Sequence, residues 1–99
     1  MVVIHGLRGD DKFVDAGGLD VKLRNAICGG LSARFDARMA ETGRYAGVSP
    51  ANICNRGRGG AGVQLEITKA LRDALLASSE TMEAFADAVM QAIDGALAS

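Results

Sequence analysis

The sequence predicts a small α/β domain with a mostly parallel sheet and flanking helices. Two short β-rich runs, at residues 2–5 and 63–67, bracket the chain's chemistry-bearing segments. Apolar residues recur at helical spacing after Asp20 and again after Ser79. The resulting order is strand, strand, helix, strand, loop, strand, helix, helix, which is an α/β pattern.

Val2-Val3-Ile4-His5 reads as a buried strand ended by Gly6. Residues 12–15 form a second short strand, closed by Gly17-Gly18. Asp20 is placed to cap a helix over 21–33, in which Leu23, Ala26, Ile27, Gly30 and Leu31 share one face. Residues 35–39 alternate as a strand does. Residues 40–62 read mostly as loop, with one helical turn over 50–54 opened by Pro50. In the strand at 63–67, Val63, Leu65 and Ile67 point one way and Gln64 and Glu66 the other. Thr68 caps a helix to residue 76, and Ser78 or Ser79 opens the last one. That helix carries Met82, Phe85, Ala86, Val89, Met90, Ile93 and Leu97 on one side, expected to pack on the sheet or on a second subunit.

Ninety-nine residues make one domain. Parallel sheets are normally covered on both faces, and an apolar strand starting at residue 2 has little to cover its neighbours. The expectation is therefore a single domain over 1–99 that resembles the back half of something larger. The other possibility is a subunit whose sheet edge a partner completes.

Composition excludes several classes. Apolar residues at 48% and charged residues at 23% are globular usage. A net charge of −1 argues against a basic nucleic-acid binder. No apolar run approaches the ~18–20 residues of a membrane span. No signal peptide is visible at the start, and Cys28 and Cys54 form no CxxC pair, so a cytoplasmic, reducing setting is expected. Charge is unevenly spread: residues 1–72 hold 11 Lys and Arg against 7 Asp and Glu, whereas residues 73–99 hold 5 acids and no base. The N-terminal part is thus the anion-facing part.

Three segments carry candidate chemistry. His5 ends a strand and precedes Gly6, where open α/β sheets place ligands, and an imidazole there can bind a metal or move a proton. The plain alternative is a histidine that hydrogen-bonds a turn. Asn55, Arg56 and Arg58 lie in a glycine-rich loop, where guanidinium forks suit carboxylate or phosphate. The alternative is a flexible loop with solvated arginines. Residues 57–62 match GxGxxG but precede a strand, which excludes the dinucleotide reading. Glu66 is placed for general-base work if burial raises its pKa, the alternative being a satisfied edge carboxylate. A parallel pairing would bring His5 and Glu66 to one side of the sheet.

These residues carry a resemblance. His5-Gly-Leu-Arg-Gly-Asp10, Val14-Asp-Ala-Gly-Gly-Leu-Asp20, Asn52-Ile-Cys-Asn-Arg56, Gly62-Val-Gln-Leu-Glu-Ile67 and Leu71-Arg72 stand in this order. The set is similar to the C-terminal half of the poly-γ-glutamate hydrolase family of phages and bacteria, over roughly residues 2–76. The resemblance implies a zinc carboxypeptidase-like fold and a metallopeptidase-like hydrolase that cleaves the γ-linked chain of a polyanionic substrate with one zinc ion. It matches His5 to a zinc ligand and Glu66 to the carboxylate that activates water. It puts Asn55, Arg56 and Arg58 where they could hold substrate.

The family takes two further ligands, a histidine and a glutamate, from an upstream half that these residues do not contain. The sequence holds no second histidine, and Asp10, Asp11 and Cys54 are only conceivable substitutes. The readings left open are a hydrolase half-domain completed from elsewhere and a non-catalytic homologue that binds anions or forms a homo-oligomer.

Overall fold

The computed structural model describes residues 1–40 and 46–98. Its elements are β1 (Val2–Leu7), β2 (Val14–Gly17), α1 (Val21–Leu31), β3 (Ala37–Met39), a 3-10 turn (Ile53–Asn55), β4 (Val63–Thr68), α2 (Lys69–Ala77) and α3 (Ser79–Ala98). The strands lie in the order β1-β4-β2-β3. β1 runs parallel to β4 and β2 parallel to β3, while β2 and β4 are antiparallel. The sheet is therefore mostly parallel, as expected, with one antiparallel junction. Connection length explains the junction. Only residues 8–13 separate β1 from β2, too few for a crossover between parallel strands, so β2 runs back.

Register sorts the side chains into two faces. Residues paired across strands share a face. Ile4, Leu65, Ala16 and Met39 form an apolar row, and His5, Glu66, Asp15 and Arg38 form a polar one. All three helices serve the apolar face. Val14, Val63 and Leu65 of the sheet are fully buried with Ile27 and Leu31 of α1, and Leu71, Leu75 and Phe85 close the core. Each such side chain contributes about 1.5–3 kcal/mol of burial. The molecule is thus two layers deep, and the second face of the sheet is met by loop rather than helix. Gly47, Asn52 and Ile53 lie over Gln64 on that side. The loop expected over 40–62 is present at 46–52 and 56–62, and residues 41–45 lie outside the described ones.

The caps match the local sequence. Asp20 Oδ1 accepts from the Leu23 N–H at 3.1 Å, and Thr68 Oγ1 accepts from the Leu71 N–H at 3.2 Å. Ser78 is extended and its hydroxyl accepts from the Thr81 N–H, so one residue ends α2 and opens α3. α3 departs from expectation. It packs chiefly on α1, with Ala88 set against Gly30, rather than directly on the sheet. Phe85, Val89 and Ala92 turn inward, with Phe85 edge-on to Phe35. Met82, Met90 and Leu97 stay exposed. The expected apolar stripe is wider than the surface α1 offers it.

Candidate active site

β4 is one of the two inner strands and every one of its six residues is buried. That places Glu66, only 7% exposed, beneath the polar face. His5 pairs with Glu66 in the β1–β4 register. Both line an open pocket of about 740 Å³ together with Arg8, Asn52, Ile53 and Gln64. Asn52 Nδ2 donates to Gln64 Oε1 at 3.1 Å, which ties the 3-10 segment over the sheet.

β1 continues two residues past the expected stop at His5. Gly6 is tolerated inside the strand because its α-carbon faces the Arg72 guanidinium; a Cβ there would fall 2.8 Å from Nη1. The same Nη1 donates to the Leu7 and Ile67 carbonyls at 3.2 and 2.6 Å, clasping β1 to β4. The pocket thus runs from the polar face of the sheet at Gln64 and Glu66 to the exit of β1 at Leu7 and Arg8. Arg72 belongs to the scaffold.

The polar row extends beyond the pocket. Asp15 pairs with Glu66 on one side and Arg38 on the other. Burial pushes the Asp15 carboxyl up, Arg38 pulls it down, and Asp36 pushes it up again. Arg38 binds Asp36 at 2.9 Å and stacks 3.9 Å over the Phe13 ring. Its hydrogen bond holds Asp36 below the usual carboxylate range. Asp15 and Arg38 were not expected in this row, because the antiparallel β2–β4 pairing that brings them there is a tertiary choice. Arg8 was also missed as a pocket residue. Its signal was its place three residues after His5 at the exit of β1.

Asn55 is placed differently from the expectation that it holds substrate. It is 3% exposed. Its Oδ1 accepts from the Leu19 and Gly62 N–H groups, and its Nδ2 donates to the Gly47 and Ser49 carbonyls. Its amide is thus committed to the backbone of three converging segments. Arg56 and Arg58 are exposed and do not line the pocket. Gly57, between them, abuts Met1 at the start of β1. At about 3.3 Å per residue this is some 13 Å along the strand from His5. The glycine loop is not loose throughout: a Cβ at Gly62 would overlap the Cys54 and Met1 carbonyls.

Zinc in a catalytic site ordinarily has three protein ligands. Among the described residues no group of three His, Cys, Asp or Glu side chains could hold a metal. Asp10, Asp11 and Cys54 do not join His5 and Glu66 in one. Cys54 is fully buried, and burial pushes its thiol up. The donors present do not make a zinc site by themselves.

A family model described as poly-gamma-glutamate hydrolase matches residues 1–92. The chain belongs to this family. A solved bacteriophage poly-gamma-glutamate hydrolase superposes with a TM-score of 0.89 at 33% identity, over 98% of this chain and 53% of the other. YNDL in its zinc-free apo form gives 0.85 at 25% identity, over 96% and 53%. The protein YmaC of Bacillus subtilis (strain 168), from the group UPF0714, is 37% identical over 76 residues, 75% of this chain and 32% of its own length. The chain thus spans about half of the solved relatives and a third of the curated one. That share fits one half of the family fold, as the resemblance implied. No helix among the described residues is long and apolar enough to cross a membrane.

Proposed function

We propose that this chain carries one half of the active site of a poly-γ-glutamate hydrolase, an enzyme that splits γ-glutamyl amide bonds with water. The observation that carries this reading is the cross-strand pair His5 and Glu66, which lines one open pocket in a chain of this family. Glu66 is mostly withdrawn from water and lines the pocket, the placing a general base needs. It takes the proton from the attacking water as oxygen bonds to the amide carbon, and the proton passes to the leaving nitrogen. Arg8, in the same pocket, offsets the charge of a substrate carboxylate. Arg56 and Arg58 extend that role along the strand toward Met1, where a long polyanion can reach them. His5 is the imidazole this chain would offer a zinc ion.

Glu66→Gln tests the base. In the completed enzyme it should stop hydrolysis of poly-γ-glutamate while the fold persists. Hydrolysis retained at the parent rate would remove Glu66 from that role.

The exposure of Arg56 and Arg58, with no three-ligand group among the described residues, favours a second reading: a non-catalytic domain that binds polyanions. It expects binding that weakens with salt and in Arg56→Ala, with no metal needed.

A further inference from the structure

Arg8 enters the pocket from the short segment that leaves β1, and that segment is held on both sides of it. The Leu7 carbonyl, just before Arg8, accepts from Arg72 Nη1 at 3.2 Å. The Gly9 carbonyl, just after it, accepts from the Ala70 N–H at 3.2 Å. Both donors belong to the first turn of α2. The Arg8 backbone is thus bracketed by two bonds to one helix turn.

Arg72 comes to Leu7 from the face opposite the pocket. Along β1, Ile4 and Gly6 share the apolar face, whereas His5 and Leu7 share the polar one. Arg72 lines an open apolar groove with Ile4, Leu76 and Met90 on the helix side, and its guanidinium passes under Gly6 to the exit of β1. The same Nη1 donates to the Ile67 carbonyl of the neighbouring strand at 2.6 Å. The passage exists because residue 6 has no side chain: a Cβ there would fall 2.8 Å from Nη1 and 3.1 Å from Cζ. Gly6 and Arg72 therefore work together, one leaving a gap and the other filling it. A guanidinium suits the task, because it stays charged and its donors make strong bonds to carbonyl oxygens.

We propose that Arg72, through the space Gly6 leaves it, is a positioning residue that seats Arg8 in the pocket to meet a substrate carboxylate. Only the carboxylate rests on the proposed function; the seating rests on the hydrogen bonds themselves. Arg72 does not line the pocket of His5 and Glu66, so it acts there through another residue. Strand pairing alone does not need it, since six paired residues already hold β1 on β4. That ladder ends at Leu7, and Arg8 is the first residue it does not hold. Fixing the backbone of a long side chain before the ligand arrives lowers the entropy lost on binding.

The test uses the chain itself, a fluorescently labelled γ-linked glutamate oligomer at low salt, and amide hydrogen exchange. Arg72→Met keeps a long stem without donors. The Ala70 amide, bonded to Gly9, should then exchange about tenfold or more faster while α1 amides keep their rates. Oligomer binding should weaken about tenfold or more, as in Arg8→Ala. The double variant should bind no worse than Arg8→Ala alone, because Arg72 acts through Arg8. Gly6→Ala approaches the same end with every donor kept. Its Cβ meets the tip of a flexible side chain, so the guanidinium yields and the fold survives. Both effects should appear there in weaker form. Unchanged Ala70 exchange in both variants would overturn the proposal. Losses from Arg72→Met and Arg8→Ala that multiply in the double variant would overturn it too, since Arg72 would then act on its own. Faster Ala70 exchange, with oligomer binding absent or indifferent to Arg8→Ala, keeps the seating and removes the carboxylate-binding reading of the pocket. Unmoved seating, with binding lost in Arg8→Ala, does the reverse.

Discussion

His5 on β1 and Glu66 on β4 are direct partners in a parallel register, so an exposed imidazole and a buried carboxylate share one face of the sheet. Their unequal burial separates what each does for the fold. His5→Ala touches an exposed edge position and should change stability by no more than about 0.5 kcal/mol. Glu66→Ala empties a position in a strand whose every residue is buried and should cost more, about 1–3 kcal/mol. Urea unfolding of both variants checks the contrast, and equal losses would contradict it.

Asn55 is a structural clamp. Four backbone groups depend on its amide: the N–H groups of Leu19 and Gly62 and the carbonyls of Gly47 and Ser49. Asn55→Ala removes all four bonds in a largely buried setting, leaving the Gly47 carbonyl only the Cys54 thiol, and should cost about 3 kcal/mol. Asn55→Asp is the sharper test. It keeps the acceptor but faces two carbonyl oxygens with a third oxygen, so it should not rescue the loss. Stability restored to the parent value in Asn55→Asp would show that the two donated bonds contribute nothing.

The core elements were legible in the sequence because local signals agreed there. Asp20, Thr68 and the alternation at Val63, Leu65 and Ile67 fix two helix starts and one inner strand with no tertiary input. The site was legible in part. His5 and Glu66 follow from parallel pairing, and the family motif adds weight. Asp15 and Arg38 depend on β2 running antiparallel to β4, which only the short 8–13 connection hinted at. Asn55 misled because a buried carboxamide and a ligand-facing one look the same in sequence. α3 misled because its stripe serves two surfaces, α1 and the open groove.

Asp15 gives a pH signature. Burial lifts its carboxyl above the ordinary 3.8, against the pull of Arg38 and with a push from Asp36. The folded chain therefore holds this proton more tightly than the unfolded chain does. Well below pH 3.8 both states are protonated and the group is neutral to stability. As pH rises from 3.8 through the raised value, Asp15 lowers stability, and the loss persists at pH 7. Asp36, held low by its hydrogen bond to Arg38, acts in the opposite sense. Asp15→Asn should thus be more favourable relative to the parent at pH 7 than at pH 3. Denaturant midpoints at the two pH values measure the difference, and a reversed order would mean that the attraction to Arg38 outweighs burial.

The two thiols should resist modification in the native state. Cys28 and Cys54 are both buried and unpaired. Burial also raises the Cys54 thiol, which lowers its thiolate fraction. An aromatic disulfide reagent at pH 8 should label neither quickly until denaturant is added. Rapid native labelling of Cys54 would show that the segment around Gly47 and Asn55 opens readily, against the dense hydrogen bonding seen there.

Zinc affinity tests how much of a metal site these residues make. One imidazole beside one carboxylate holds zinc weakly compared with the usual three-ligand set, and no third donor joins them among the described residues. Calorimetric titration of the monomeric chain should therefore show weak binding, and His5→Ala should remove what there is. Tight stoichiometric binding by the monomer alone would place a further ligand within these 99 residues.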